Sequence, residues 1–291
     1  MQFFRNLYRL IYWKVVYRLG VQKTLFFYDF LSAFGRRAGV DASREGVQLI
    51  VSLTSIPERF GTLHLTLESL LRQKLRPTKI VLYLGDGYAD RNRIKNLVNL
   101  NRRGLEIRRC EDIGPYKKLF YALHEYPKSL LVTADDDIIY PRTWLECLYH
   151  SYLNDPASVH CYRAHRILTS EEGVLPYNDW SWDVDSDGLT PERVFPTGGG
   201  GVLYFPGSFA SEVTDKDVFL AICPKADDVW WKAMTLLKGV GCRVVSCNTE
   251  PLFFIPGAQV NTLRSHNLHG GNDSQIQNVF SRYKLFDKLK D

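Results

Sequence analysis

The stretch LLVTADDDIIYP at residues 130–141 places three acids, Asp135, Asp136 and Asp137, directly after a short apolar run. An uninterrupted apolar run of this length is typical of a strand that is buried on both faces of a parallel sheet. Three consecutive carboxylates are costly to bury unless they face water or a cation. Because ligands bind beyond the carboxyl ends of the strands in an open parallel sheet, the triplet predicts a ligand site at that edge.

Strand-like and helix-like patterns alternate on both sides of this stretch. Apolar runs that predict strands lie at residues 47–53, 79–84, 105–110, 130–133, 158–162, 202–205 and 243–246. Helical spacing of apolar residues lies at residues 63–71, 94–100, 116–124 and 229–237. Residues 176–201 are rich in Trp, Asp, Gly and Pro and are expected to form a loop. The alternation predicts an α/β fold with a Rossmann-type, mostly parallel sheet flanked by helices and an irregular C-terminal half.

Length and composition agree with a folded protein. The chain has 291 residues, of which 45% are hydrophobic and 24% are charged, and these values exclude disordered, collagenous and coiled-coil architectures. Since no linker is visible, residues 47–291 are expected to form one domain that follows an arm at residues 1–46. The six cysteines show no CxxC pair and no zinc-site spacing, which predicts buried thiols in a reducing, cytoplasmic compartment.

The basic charge is concentrated near the N-terminus. Residues 1–40 carry seven Lys or Arg and one acid, so the remaining residues carry 30 bases and 31 acids. A nucleic-acid-binding protein needs a basic patch on its folded body, and the balance after residue 40 argues against one.

Aromatic residues recur among the bases of residues 1–31. Bases interrupt every apolar stretch there, which argues against a transmembrane helix and against a signal peptide. The composition favours contact with an anionic membrane surface, whereas the poor helical periodicity favours a helix that packs on the body. Both interpretations stay open.

The acidic triplet has the chemistry of a metal site. Side chains at positions i and i+2 of an extended segment point to the same side, so Asp135 and Asp137 can hold one hard divalent cation together. A pyrophosphate can supply the remaining oxygen ligands. The alternative is a solvated turn or the start of a helix.

The stretch around the triplet resembles the DxD segment of GT-A-fold glycosyltransferases that use nucleotide sugars, and it is nearest to bacterial enzymes of lipopolysaccharide or capsule synthesis. Residues 50–57, IVSLTSIP, are similar to the first strand and donor-binding turn of that family. Residues 69–73, SLLRQ, resemble its SLLxQ segment, and residues 114–118, GPYKK, resemble a further donor-side loop. The resemblance runs from about residue 48 to about residue 280 and implies a GT-A-like fold.

The resemblance also implies which residues bind a nucleoside diphosphate sugar. The implied donor contacts are Thr54, Ser55, Pro57, Arg59, Lys117, Lys118, Asp135 and Asp136. It assigns the ribose and an Mn²⁺ or Mg²⁺ ion to Asp135 and Asp137, although Asp136 can substitute for either because a triplet leaves the register ambiguous. A late histidine, His266 or His269, is implied as a further metal ligand. Two solvated lysines at a helix start are the alternative for Lys117 and Lys118.

Asp227 and Asp228 resemble the acidic pair that opens a helix in inverting members, where the second acid is the general base. Inverting sugar transfer needs a carboxylate opposite the leaving group to take the proton of the acceptor hydroxyl. An acidic helix cap is the alternative, with Asp227 as the cap residue. The resemblance implies that the loop with Gly199, Gly200 and Gly201 lines the donor sugar and the acceptor, with a flexible loop as the alternative. Trp180 and Trp182 are expected either to stack on sugars of the substrate or to fold back onto the core.

Together these features predict a metal-dependent, inverting glycosyltransferase that acts on a glycan or lipid-linked acceptor at the inner face of a membrane. A sugar nucleotidyltransferase is a rival, but it needs a Gly-rich basic loop after the first strand, where this chain has Thr54-Ser55-Ile56-Pro57. A non-catalytic sugar-binding module is the second rival, and transfer with retention also stays open.

Overall fold

The protein is described from a computed structural model over residues 22–43, 45–88, 97–171, 173–185, 189–247, 250–258 and 271–289. The strands are β1 (Leu49–Thr54), β2 (Lys79–Gly85), β3 (Leu105–Cys110), β4 (Leu130–Ala134), β5 (Ile138–Ile139), β6 (Val159–Cys161), β7 (Ala164–Arg166), β8 (Thr169–Ser170), β9 (Gly173–Val174), β10 (Val194–Pro196), β11 (Val202–Tyr204), β12 (Cys242–Val244) and β13 (Phe253–Phe254). The helices are α1 (residues 22–34), α2 (Phe60–Leu71), α3 (Val98–Arg102), α4 (Lys117–Glu125), α5 (Trp144–Asn154), α6 (Lys216–Ile222), α7 (Asp227–Lys238) and α8 (Asn272–Arg282).

Seven strands form one sheet in the order β12-β6-β11-β4-β1-β2-β3. All neighbouring pairs are parallel except those of β11, which runs antiparallel to β4 and β6. The predicted α/β class with a mostly parallel sheet flanked by helices is therefore confirmed.

The sheet carries a core on each face. Alternate residues of β4 enter different cores, with Leu131 on one side and Leu130 and Val132 on the other. This confirms that the apolar run before the acidic triplet is a strand buried on both faces, because side chains alternate along a strand.

Helix α1 is fastened to the body by hydrogen bonds. Arg103 forms a bidentate ion pair with the buried Glu68 and donates to the carbonyl oxygens of Leu31 and Arg37. The division into an arm at residues 1–46 and a domain at 47–291 stays a prediction, and residues 1–21 lie outside the described residues. Among the helices of the described ranges, none has the length and apolar character needed to cross a bilayer.

The structure corrects the prediction that all six cysteines are free thiols. Cys147 of α5 and Cys247, after β12, form a disulfide with a Cα–Cα distance of 5.9 Å across 100 residues of sequence. The other four cysteines are free. Sequence spacing could not reveal this pair, because only the folded sheet brings α5 against the segment that follows β12.

Candidate active site

A cleft of about 510 Å³ opens where the parallel strands β1 and β4 end. It is bounded by the segment after β1, the start of α4, the acidic triplet, the glycine-rich turn before β11 and the start of α7. Predicted site residues that line it are Thr54, Ser55, Arg59, Lys117, Lys118, Asp135, Asp136, Asp137, Trp182, Gly199, Asp227 and Asp228. These residues come from separate parts of the sequence and meet in one cavity at the predicted edge of the sheet.

The three acids of the triplet have different partners. Asp135 is half-buried, and its Oδ1 lies 3.0 Å from the ammonium of Lys118. Asp136 is buried and accepts hydrogen bonds from the Ser55 hydroxyl and the Arg59 guanidinium. Arg59 also lies 3.4 Å from Asp137 Oδ2. The middle acid is therefore held by the turn after β1, which leaves Asp135 as the acid that opens to the cleft.

Ser55 has a different role from the one that its spacing to Glu58 suggests. The pair resembles a helix capping box, yet the 3-10 turn Pro57–Arg59 has no side-chain cap, and the Ser55 hydroxyl points to Asp136. Pro57 lies in that turn and does not line the cleft, so its predicted donor contact is corrected to a place in the turn itself.

The triplet carries more negative charge than its cations balance. Burial, followed by the charge of Asp135, raises the pKa of Asp137 to about 7. Burial raises the pKa of Asp136 as well, against the opposing effect of Arg59. Although burial acts against ionisation of Asp135, the neighbouring Lys118 holds its pKa below the ordinary value. Such divergent pKa values within one cleft are typical of functional sites.

Lys118 joins the triplet to helix α7. Its buried ammonium lies 3.0 Å from Asp135 Oδ1 and 3.1 Å from Asp227 Oδ2. Burial disfavours the charged ammonium, but Asp135, Asp227 and Asp228 raise its pKa well above the ordinary value. Lys118 is thus a fixed positive charge between the two acidic segments.

Asp227 and Asp228 face different surroundings although they are adjacent. Asp227 is buried, and its Oδ2 accepts from the indole Nε1 of Trp231 at 3.2 Å as well as from Lys118. Asp228 is half-buried, and its Oδ2 accepts from the backbone N–H of Gly198 at 2.9 Å. Burial, followed by the charge of Asp227, raises the pKa of Asp228 to about 7. Neither acid caps α7, because its N-cap residue is Ala226 and no side-chain cap is made.

The glycine-rich turn is packed tightly against this machinery. A Cβ on Gly198 would lie 2.5 Å from Asp228 Oδ1 and 2.7 Å from Lys118 Nζ, and one on Gly199 would lie 3.1 Å from Asp135 Oδ2. The turn is also tied to the triplet, because Tyr140 accepts from the Asp135 N–H at 2.8 Å and donates to the Gly199 carbonyl at 3.1 Å.

Gly200 and Gly201 do not line the cleft, and their assignment as substrate-binding residues stays a prediction. A Cβ on Gly200 would lie 2.6 Å from Arg163 Cβ, and one on Gly201, where φ is +92°, would overlap the Trp144 indole. These two glycines therefore permit packing against Arg163 and Trp144.

The two lysines of residues 114–118 both have acidic partners. Lys117 forms an ion pair with Asp112, and Lys118 is shared by Asp135 and Asp227. The alternative of two solvated lysines is wrong, since both side chains are buried.

The two tryptophans that were predicted to contact the substrate differ in their exposure. Trp180 is 3% exposed and packs on Tyr177 and Phe195, which corrects its assignment to the substrate side. Trp182 is 38% exposed, lines the cleft and stacks on His165 with ring centroids 4.7 Å apart.

The cleft contains functional candidates that the sequence argument missed. Arg163 precedes β7, His165 lies within β7, and Asp112 follows β3. Arg163 donates from Nε to Thr197 Oγ1 at 2.8 Å, and its guanidinium lies 5.7 Å from the ring centroid of Phe254. Asp112 could have been suspected because it follows a predicted strand, whereas β7 is too short to give a sequence signal.

Two side chains of the cleft have the chemistry needed to bind a hard divalent cation. Asp135 and Asp137 supply carboxylate oxygens, which Mg²⁺ and Mn²⁺ prefer. Over the described ranges no group of three or more His, Cys, Asp or Glu side chains is arranged to hold a metal. The predicted further ligands, His266 and His269, lie outside the described residues.

Neither the models of known protein families nor the sequences of curated proteins match this chain. Among solved structures it is similar to S. aureus TarS 1-349 at 12% identity. The TarS complex with UDP gives a TM-score of 0.47 over 84% of this chain and 74% of the TarS chain. A second TarS 1-349 structure gives 0.48 over the same shares, and the complex with UDP-GlcNAc gives 0.49 over 75% of this chain and 61% of the TarS chain. Since all three TM-scores are under 0.5, the donor and acceptor of this chain are inferred from its own residues.

Proposed function

We propose that this protein is a glycosyltransferase that moves a sugar from a nucleoside diphosphate sugar to a hydroxyl group of an acceptor. The observation that carries the proposal is the meeting of two acidic segments in one cleft. The Lys118 ammonium lies 3.0 Å from the half-buried carboxylate of Asp135 and 3.1 Å from the carboxylate of Asp227, and the charge of the half-buried Asp228 also raises the pKa of Lys118. The acids at 135–137 could bind the donor with its cation, and the acids at 227–228 could supply the base that deprotonates the acceptor.

The donor side consists of the residues around the ends of β1 and β4. Thr54, Ser55, Arg59, Asp135 and Asp136 line the cleft there, which supports their assignment to the nucleotide and its diphosphate. Lys117 and Lys118 also line the cleft and are proposed to contact phosphate oxygens, although each of them, like Arg59, already has a carboxylate partner.

Asp135 and Asp137 are proposed to hold Mn²⁺ or Mg²⁺ together with the diphosphate. When bound, the cation neutralises charge that develops on the departing diphosphate. The raised pKa of Asp137 supports this assignment, because burial and then the charge of Asp135 disfavour its ionisation, and a bound cation would oppose both effects.

Asp228 is proposed as the general base of a single displacement. The acceptor oxygen forms a bond to the anomeric carbon while the bond from that carbon to the diphosphate oxygen breaks on the opposite face, so the configuration inverts. The hydroxyl proton moves to a carboxylate oxygen of Asp228, whose pKa of about 7 suits proton transfer near neutral pH. Asp227, fixed by Lys118 and Trp231, is proposed to position Asp228 rather than to accept the proton.

The acceptor side is proposed to lie around Trp182. Backbone hydrogen bonds fix its loop to β7 on both sides, from Arg166 N to Ser181 O at 2.8 Å and from Val184 N to Ala164 O at 3.1 Å. An indole that is held rigidly at a cleft and left exposed suits stacking on the apolar face of a sugar. We expect Trp182→Ala to raise the acceptor KM about tenfold without changing donor hydrolysis, and Trp182→Phe to restore part of the loss.

The pathway and the membrane are further parts of the proposal. The resemblance of residues 130–141 supports synthesis of bacterial lipopolysaccharide or capsule, with a glycan or a lipid-linked acceptor. Contact of the N-terminal region with an anionic membrane surface agrees with such an acceptor.

Thermal unfolding with UDP, GDP, CMP and dTDP, each with and without Mn²⁺, tests the donor site. A nucleotide at about 100 times its Kd stabilises the protein by about 2.7 kcal/mol, which is visible as a rise in Tm. We expect one nucleotide to raise the Tm in a metal-dependent way, and Asp137→Ala to abolish the metal-dependent part. The absence of any shift would refute the donor site.

Asp228→Asn tests the base. We expect it to lower kcat by about 10²–10⁴-fold and to keep the nucleotide-induced Tm shift, because only proton transfer is lost. Asp217→Asn is the matched control, since Asp217 is an exposed acid in the first turn of α6 and lies outside the cleft. Near-normal turnover of Asp228→Asn would show that another group takes the proton.

A further inference from the structure

Helix α1 presents a row of aromatic side chains away from the core. Phe26 is 76% exposed, Phe30 is 53% exposed and Phe34 is 69% exposed. Residues four positions apart lie on one face of a helix, so the three rings form a continuous stripe along it. Monomeric proteins rarely expose a contiguous apolar patch of this kind unless it binds something.

The exposure does not come from a detached helix. Tyr28 on the opposite side of α1 is buried at 8% exposure, and Asn99 donates to the carbonyl oxygens of Ser32 at 2.8 Å and Gly35 at 3.1 Å. Together with the Arg103 contacts to Leu31 and Arg37, these bonds fix one face of α1 to the body. The opposite face, with its phenylalanines, is therefore displayed from a fixed support.

The stripe continues onto helix α3. Val98 is 54% exposed, and it lines a groove of about 550 Å³ together with Phe26, Phe30 and Phe34. We call the surface of these four residues the aromatic ridge. Because Phe26 and Phe34 are eight residues apart and a helix rises about 1.5 Å per residue, the row of phenylalanines is roughly 12 Å long.

Exposed basic residues occur on α1, directly after α1 and on α3. Lys23, Arg36, Arg37 and Arg102 are exposed, and Arg102 lines the groove itself. Residues 1–21 of the sequence add four bases and no acid. The single acid among residues 1–40, Asp29, also lines the groove, where its carboxylate lies 3.0 Å from His64, so the bases outnumber the acids of this region. An apolar ridge with an excess of nearby bases complements a surface that is apolar beneath an anionic layer.

We propose that the aromatic ridge docks onto the surface of an anionic lipid bilayer. The phenylalanines enter the boundary between headgroups and acyl chains, and the nearby bases contact anionic headgroups. Association with a second copy is disfavoured, because it would bring two sets of bases together. The inference deepens the proposed membrane contact, and it moves that contact from residues 1–31 as a whole to a defined face that reaches Phe34 and α3.

Co-sedimentation of the full chain with lipid vesicles tests the ridge without any donor sugar. We expect binding to phosphatidylcholine vesicles that contain about 30% phosphatidylglycerol, weaker binding to pure phosphatidylcholine, and release in about 1 M NaCl as the bases are screened. The variant Phe26→Ser/Phe30→Ser/Phe34→Ser should lower the partition coefficient by at least about tenfold, because three apolar anchors are removed.

The matched control is Leu153→Ser, since Leu153 is 54% exposed on α5 and lies outside the groove. Vesicle binding of the triple variant at the wild-type level would overturn the proposal. A wild-type chain that stays in solution, and elutes as a dimer that the triple variant converts to a monomer, would instead assign the ridge to self-association. Retention of the nucleotide-induced Tm shift shows that the variant is folded, so failure of the ridge is distinguished from failure of the transferase site.

Discussion

Gly198→Ala is expected to lower kcat for sugar transfer by about 10²-fold while nucleotide binding stays nearly unchanged. The φ angle of Gly198 is outside the left-handed region, so the backbone itself accepts alanine. The new methyl group, however, would lie 2.5 Å from Asp228 Oδ1 and 2.7 Å from Lys118 Nζ.

The magnitude follows from the displacement that these distances require. Ordinary contact of a Cβ begins near 3.4 Å, so the Asp228 carboxylate must move by about 0.9 Å. The same movement lengthens its 2.9 Å hydrogen bond from the Gly198 N–H. Misplacing a reacting group by about 1 Å costs on the order of 10²-fold in rate, whereas the fold can absorb the shift because both obstructing atoms are ends of flexible side chains.

Steady-state transfer and the nucleotide-induced Tm shift are the two measurements. Gly61→Ala is the matched control, because Gly61 is exposed in helix α2 and a Cβ there would meet nothing within 4 Å. Wild-type kcat for Gly198→Ala would refute the placement of Asp228 as the base. Equal loss of kcat and of the nucleotide shift would show that the substitution distorts the whole cleft instead.

Three further outcomes follow from buried charge and from the disulfide. The free energy of unfolding of the ligand-free protein should fall as pH rises from about 4 to about 7, because Asp137 and Asp228 keep their protons up to about pH 7 in the folded protein and lose them near 3.8 in the unfolded chain. The variant Asp137→Asn/Asp228→Asn should flatten this pH dependence of the Tm. An unchanged pH dependence would contradict the raised pKa values of these two acids. Glu68→Ala leaves the 4%-exposed Arg103 side chain without its carboxylate and should cost about 3–5 kcal/mol in urea unfolding, whereas Glu106→Ala at a partly exposed pair should cost less than about 1 kcal/mol. The Cys147–Cys247 disulfide closes a loop of 100 residues and should stabilise the fold by about 2–5 kcal/mol. Dithiothreitol should therefore lower the Tm of the wild type and of the control variant Cys110→Ser, but not that of Cys147→Ser/Cys247→Ser.

The sheet could be predicted from sequence because three of its longer strands, β1, β2 and β4, are apolar on both faces. The run at 105–110 agrees with the bounds of β3, and the run at 130–133 misses β4 by one residue. Helix α5 was missed although it carries Trp144 and the bridging Cys147. Its polar and aromatic residues give no clear helical stripe, and its place is fixed by packing against β6 and β11.

The candidate site was predictable in membership and not in pairing. Strand ends locate Asp135 and Asp137 at one edge of the sheet, and helix starts locate Lys118 and Asp228 there too. No sequence pattern states that the Lys118 ammonium is already shared by two carboxylates, because that depends on the angle between α4 and α7. The same limit applies to Trp180 and Trp182, which are two positions apart and differ only in the side of the loop they face.

The charges of the cleft link donor binding to the ionisation state of Asp228. Asp135, Asp227 and Asp228 lie around the ammonium of Lys118, Arg59 is shared by Asp136 and Asp137, and Arg163 also acts on Asp135, so five carboxylates face three cations. Because the diphosphate of the proposed donor adds further negative charge, we expect it to bind well only together with a divalent cation or with protons on Asp137 and Asp228. A proton on Asp228 would block its proposed use as a base. Donor binding with a metal therefore favours the ionised state of Asp228 that accepts the acceptor's proton, and donor binding with protons alone would leave the cleft filled but inactive.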